Sequence, residues 1–165
     1  MRVIGCGRGR WSLSWIPERA EGASGFERAF GLRPNLFAAW RDFAARLLDT
    51  GEVDRTLLEL CRRRIGQLHG ATCPLPAGTS PPPIAERKAA DLSSWWRSDA
   101  YCETERACLR FAEQFALDAR GIGDAEAAAV TGALGDARTV AFVEALAIFD
   151  GFARFARMLD AGDGA

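Results

Sequence analysis

The segment from about 137 to 159 constrains this chain most. Val140, Phe142, Val143, Ala145, Leu146, Ala147, Ile148, Phe149, Phe152, Phe155 and Met158 are too many apolar residues for one stripe of a helix. At 1.5 Å per residue such a helix runs roughly 35 Å. It must be covered on several sides, either by other helices of the same chain or by another subunit. The rest of the sequence supplies helical partners. Leu36, Phe37, Trp40, Phe43, Ala44, Leu47 and Leu48 follow the i, i+3, i+4, i+7 rule, with Pro34 in the first turn and Gly51 as a stop.

A second amphipathic helix follows, with Asp54 suited to cap it and Gly70 to end it. Its stripe is Leu57, Leu58, Cys61, Ile65 and Leu68, which leaves Glu59, Arg62, Arg63 and Gln67 on the far side. The run Cys73-Pro74-Leu75-Pro76-Ala77-Gly78-Thr79-Ser80-Pro81-Pro82-Pro83 cannot continue a helix, so residues 71–83 form a loop. Beyond it Ile84, Lys88, Leu92 and Trp95 share a face, and Cys108, Phe111, Ala112 and Phe115 line another helix. Cys102 occupies the N-cap position of that helix with Glu105 three residues on, and Asp124 and Asp136 are cap candidates for two more. The pattern predicts an all-α fold, a bundle of six or seven helices. Residues 26–162 form one domain after an ill-defined segment 1–25.

Several function classes drop out. With 21 basic against 22 acidic side chains, the chain has no electrostatic footprint for nucleic acid and no polybasic anchor. No apolar run reaches the length of a membrane span. Val3-Ile4-Gly5-Cys6 has the look of a lipobox, but Arg2 leaves no room for the apolar stretch of a signal. Five cysteines without an export signal then indicate free thiols in a reducing cytoplasm.

The stretch Glu59-Leu60-Cys61-Arg62-Arg63-Arg64-Ile65-Gly66-Gln67-Leu68-His69-Gly70-Ala71-Thr72-Cys73-Pro74 resembles the signature helix of the carboxymuconolactone decarboxylase and alkylhydroperoxidase D-like family. In that family a Glu and an Arg-rich run lead to Cys-x-x-Cys and a His. Gly31 to Trp40 is similar to its opening helix. Trp96 to Tyr101, with Glu105-Arg106-Ala107 and Phe111-Ala112-Glu113, and Phe149 to Arg154 are similar to later segments. The resemblance covers roughly residues 10 to 160 and implies an alkylhydroperoxidase D-like helical bundle that forms homo-oligomers. It also implies a thiol peroxidase of antioxidant type acting on a small-molecule peroxide. Counting from Glu59, the family's two redox cysteines fall at Ala71 and Pro74 and its His at Gly78, so Cys73 is the thiol left nearby.

The candidate catalytic residues are therefore Glu59, His69 and Cys73. Glu59 matches the family's proton-relay carboxylate, yet it also stands i, i+4 from Arg63 as an ordinary surface ion pair would. His69, the one histidine, is the natural general base, and beside Gly70 it equally suits a helix C-terminus. Cys73 follows a helix C-terminus, where the dipole disfavours a thiolate and Arg62 to Arg64 could offset it. Cys61 and Cys108 read as core. Cys102 and Cys108 lie about 9 Å apart along a helix, beyond the roughly 7 Å limit for a bridge. Cys61, His69 and Cys73 match no zinc spacing, so no metal and no cofactor are expected. Three functions remain open: a one-Cys peroxidase; an acid–base enzyme using Glu59, His69 and Arg62 or Arg63 on a carboxylate substrate; and a non-catalytic oligomeric binding protein.

Overall fold

A computed structural model describes residues 20–22, 24–49, 51–75 and 78–159. The 1–19 stretch, including Cys6 and the lipobox-like segment, lies outside the described residues. Seven α-helices follow in order: α1 Gly25–Phe30, α2 Pro34–Asp49, α3 Arg55–His69, α4 Glu86–Asp91, α5 Glu103–Asp118, α6 Asp124–Leu134 and α7 Asp136–Met158. Short 3-10 turns at Leu92–Arg97 and Ala119–Gly121 complete them, and the described residues contain no strand. The fold is all-α, as the periodicity predicts.

One side of the long apolar segment is covered from within the chain, while its Val140 and Met158 stay more than half exposed. α7 packs against α2, α3, α5 and α6, and its Phe142, Ala145, Leu146, Phe149 and Ala153 are buried with Leu60, Cys61 and Ile65 of α3 and Cys108, Leu109 and Ala112 of α5. The alanines let the helix backbones approach closely while Phe142 and Leu146 fill the space between them. A smaller aromatic cluster joins α1 and α2 to the end of α7. Phe26 lies at its centre, with its ring centroid 5.0 Å from Trp40, 5.7 Å from Phe152 and 5.6 Å from Phe155.

Local signals explain most boundaries. Ser24 caps α1 through its hydroxyl, which accepts Glu27 N–H, while Glu27 accepts Ser24 N–H in return. Asp54 caps α3 by accepting Leu57 N–H at 2.9 Å. α3 ends at Gly70, whose φ of 60° only glycine adopts without strain. Three expectations need correction. Asp124 and Asp136 are first helical residues, and the caps are Gly123 and Gly135 before them. There each carboxylate meets the positive end of the helix dipole without serving as the cap. The face shared by Ile84, Lys88, Leu92 and Trp95 is not one helix, because Ser94 leaves helical geometry and the chain tightens to 3-10. In α2 only Trp40 and Ala44 are buried; Leu36 and Phe43 stay more than half exposed, since the helix contacts the body along a narrow line.

Gly66 interrupts an Arg-rich helix for a packing reason. The chain turns back after Gly70 so that Ala71 N–H donates to Gly66 carbonyl at 3.0 Å, and a Cβ on Gly66 would stand 2.7 Å from Ala71 oxygen. Gly66→Ala is expected to destabilise the fold by about 1–3 kcal/mol although alanine is the better helix former. Gly132→Ala in α6, where nothing stands within 4 Å, is expected to stabilise by about 0.5–1 kcal/mol. Urea denaturation of both variants checks the contrast, and equal effects would refute the packing account.

Candidate functional site

The centre of the site is a buried ion pair on α3. Arg62 Nε and Nη2 donate to the two oxygens of Glu59 at 2.7 and 2.8 Å, a fork-to-carboxylate pairing across one helical turn. Arg63 Nε donates to the same carboxylate at 2.6 Å. Glu59 is 3% exposed and Arg62 8%. This corrects the expectation of a solvated far side for both residues. The i, i+4 contact to Arg63 is present, but it ends on a buried carboxylate. Burial pushes the Glu59 carboxyl upward, and hydrogen bonds and charge from Arg62, then Arg63, outweigh it and hold its pKa below the ordinary value.

Arg62 also fixes the segment after the helix. Its Nη1 donates to the carbonyl of Cys73, so one guanidinium ties α3 to the loop where the sequence pattern would place a redox thiol. The Cys73 side chain is 1% exposed. Burial pushes its thiol up to about 12; Arg62 opposes the shift and Glu59 adds to it. Burial likewise raises Cys61, well above its ordinary value, and Cys108, to about 12. The four described cysteines are all free, and only Cys102 is exposed.

His69 belongs to a different network. Its Nε2 lies 2.6 Å from Asp150 Oδ1, and Asp150 Oδ2 accepts from Arg154 Nε at 2.9 Å. Arg154 Nη2 in turn donates to Ala116 carbonyl at 2.7 Å, so the set joins α3, α7 and the end of α5. Glu59 and Cys73 thus meet through Arg62, while His69 pairs elsewhere. The C-terminal turn of α3 is satisfied by Gly70 and Ala71 N–H groups, not by the histidine.

A shallow cleft with room for about one water molecule opens beside Glu59 and Arg62, framed by Arg55, Leu75, Ser80 and Phe149. Arg55 Nη2 donates to Ser80 carbonyl at 3.1 Å and pins the far side of the loop. Among the described residues no group of three His, Cys, Asp or Glu side chains is placed to hold a metal ion. No helix of the described residues is long and apolar enough to cross a membrane.

Two acidic residues that lie in the family-like segments are not among the candidate site residues. Glu113 accepts from Trp95 Nε1 at 2.8 Å and from Arg64 Nε, clamping α5 to α3 and to the 3-10 turn. Asp150 is the partner of His69. A signal for Asp150 existed: it is an acid set among Ile148, Phe149 and Phe152 in the most apolar segment, where a carboxylate needs a partner.

No protein-family model matches this chain, and no curated protein matches its sequence. Among solved structures it is similar to the crystal structure of a protein of unknown function from Agrobacterium tumefaciens, suggested to be an antioxidant defence protein AhpD. The TM-score is 0.71 and the identity 18%, over 83% of this chain and 96% of that one. The likeness spans the helical body, and this chain has the all-α, AhpD-like fold.

Proposed function

We propose that this chain is a non-catalytic oligomeric binding protein on the AhpD-like scaffold, in which a structural ion pair stands where the family keeps its thiol centre. One observation carries this reading: Cys73, whose carbonyl shares Arg62 with Glu59, is buried, and burial pushes its thiol up to about 12. A peroxidatic cysteine works as an accessible thiolate. At pH 7 a pKa of about 12 leaves on the order of one thiol in 10⁵ ionised. The Glu59 carboxylate, held by Arg62 and Arg63, is a weaker proton acceptor than a free carboxylate. An acid–base mechanism through Glu59 and His69 is disfavoured because Asp150 holds the histidine apart from the pair.

The second reading is a one-Cys peroxidase on a small peroxide, with Cys73 as nucleophile and Glu59 as proton relay. It is favoured by the fold shared with a proposed antioxidant protein and by the Arg62 link between the two residues. Free cysteines support a reducing, cytoplasmic setting for either reading. Assembly into a homo-oligomer fits the first: Leu36 and Phe43 of α2 and Val140 of α7 are exposed apolar side chains.

Thiol-dependent peroxide consumption separates the readings. Wild type and Cys73→Ser are expected to consume peroxide at the same background rate. A rate that depends on Cys73 would establish the peroxidase. Light scattering on the same samples is expected to report more than one chain per particle, and a monomeric mass would remove the assembly claim.

A further inference from the structure

Tryptophan is highly buried on average, yet Trp96, on the 3-10 turn before α5, is 49% exposed. Its position is fixed nonetheless. Arg106 holds the backbone of the turn, its Nη1 donating to Trp96 carbonyl at 3.4 Å and its Nε to Tyr101 carbonyl at 3.1 Å. The ring stands edge-on to Trp95 at 6.1 Å, and Trp95 is itself tied to Glu113. Arg64 lies 6.0 Å over the Trp96 face while its Nε donates to Glu113. The indole is therefore an exposed apolar surface with little freedom left to lose on binding.

The unpaired charge beside the ring is positive. Arg106, Arg110, Glu113 and Leu117 follow one another at i, i+4, i+7 and i+11, so they share one stripe of α5. Arg106 and Glu113 both reach the turn at 95–98, and Arg110 between them faces the same turn. Arg110 and Arg97 are exposed. Among the described residues neither has an ion-pair partner, whereas Asp99 and Glu113 are taken by Arg87 and Arg64. Leu117, 67% exposed, extends the apolar surface one turn along α5. Tryptophan and arginine are the side chains that most often carry binding energy at interfaces.

We propose that the Trp96 face docks an acidic segment of a partner protein, an apolar side chain of that segment packing on the indole and Leu117 and its carboxylates meeting Arg97 and Arg110. Charge selects this occupant. A second copy of this chain, related by a two-fold axis through the same face, would set Arg97 and Arg110 against their own kind. The inference deepens the binding-protein reading and rests on it. The peroxide assay on Cys73 addresses that reading without involving this face, so failure of either is recognised separately.

The test uses the full chain and two matched peptides, one with glutamates around a central Leu-Phe pair and one with lysines in place of the glutamates. In a ¹H–¹⁵N spectrum the Trp96 indole is the resonance missing from Trp96→Leu. The glutamate peptide is expected to move that resonance saturably and, at about 0.05 M salt, to bind about 10-fold more tightly than the lysine peptide, a preference that shrinks several-fold at about 0.5 M as the charges are screened. Trp96→Leu, a change at a half-exposed position, should weaken the glutamate peptide about 10-fold or more. The double variant Arg97→Glu/Arg110→Glu should invert the preference. Equal binding of the two peptides, an unmoved Trp96 resonance, a preference that survives the double reversal, or no saturable binding by either peptide would each overturn the proposal. So would a smaller particle mass for Trp96→Leu in light scattering, which would make this face a contact between copies.

Discussion

Arg62→Met is expected to destabilise the fold by about 3–5 kcal/mol, because it strands a buried carboxylate with one remaining partner and orphans the Cys73 carbonyl. The methionine keeps most of the side-chain stem, so lost packing is a minor part of the effect. The double variant Glu59→Leu/Arg62→Met is expected to recover all but the cost of the carbonyl, about 1–3 kcal/mol. Chemical denaturation of the two variants checks this. A loss under about 1 kcal/mol in the single variant, or no recovery in the double, would show that the pair does not hold the loop.

Acidity gives the same pair a signature. Since the folded state lowers the Glu59 pKa from its ordinary 4.5, its contribution is fully present above that value. The contribution is lost as pH falls through the lower folded value. Glu59→Gln should therefore be less stable than wild type at neutral pH, with the gap closing as the solution is acidified below 4.5.

Thiol labelling carries the other large effect. In a Cys6→Ser chain, one thiol equivalent is expected to react promptly at pH 8, and Cys102→Ser should remove it, because Cys102 alone of the described cysteines is exposed. Cys61, Cys73 and Cys108 should react only through opening of the fold, slowed by a factor on the order of 10³ or more. Prompt labelling of Cys73 would instead give the peroxidase reading its nucleophile. On the alkaline side, burial has raised the thiols of Cys73 and Cys108 above the ordinary 9.0. Stability is therefore intact below pH 9 and declines as pH rises toward about 12.

The reach of sequence pattern can be traced through particular residues. Asp54 and Gly70 bound α3 because each acts on backbone groups within its own turn, so their meaning is local and readable. Leu36 and Phe43 satisfy the same periodicity as Trp40, yet they stay exposed. Periodicity assigns a face to a helix but not the width of the surface that will cover it. Glu59 and Arg63 read as a solvated i, i+4 pair because spacing carries no information on burial.

His69 shows the same limit, since its partner Asp150 lies 81 residues along the chain. So does the centre of the candidate site. By itself the sequence determined the all-α class, the main helices α2, α3, α5 and α7 and the displacement of Cys73 from the family's redox register, because these follow from residue type and spacing, whereas the short α1 and the break at Ser94 did not show in the pattern. Only the tertiary structure decided that Arg62 turns inward, joining Glu59 to the Cys73 carbonyl and closing off the thiol. That outcome depends on α7 covering α3 and on the loop folding back over it, and the fate of a buried charge is set by every group that surrounds it.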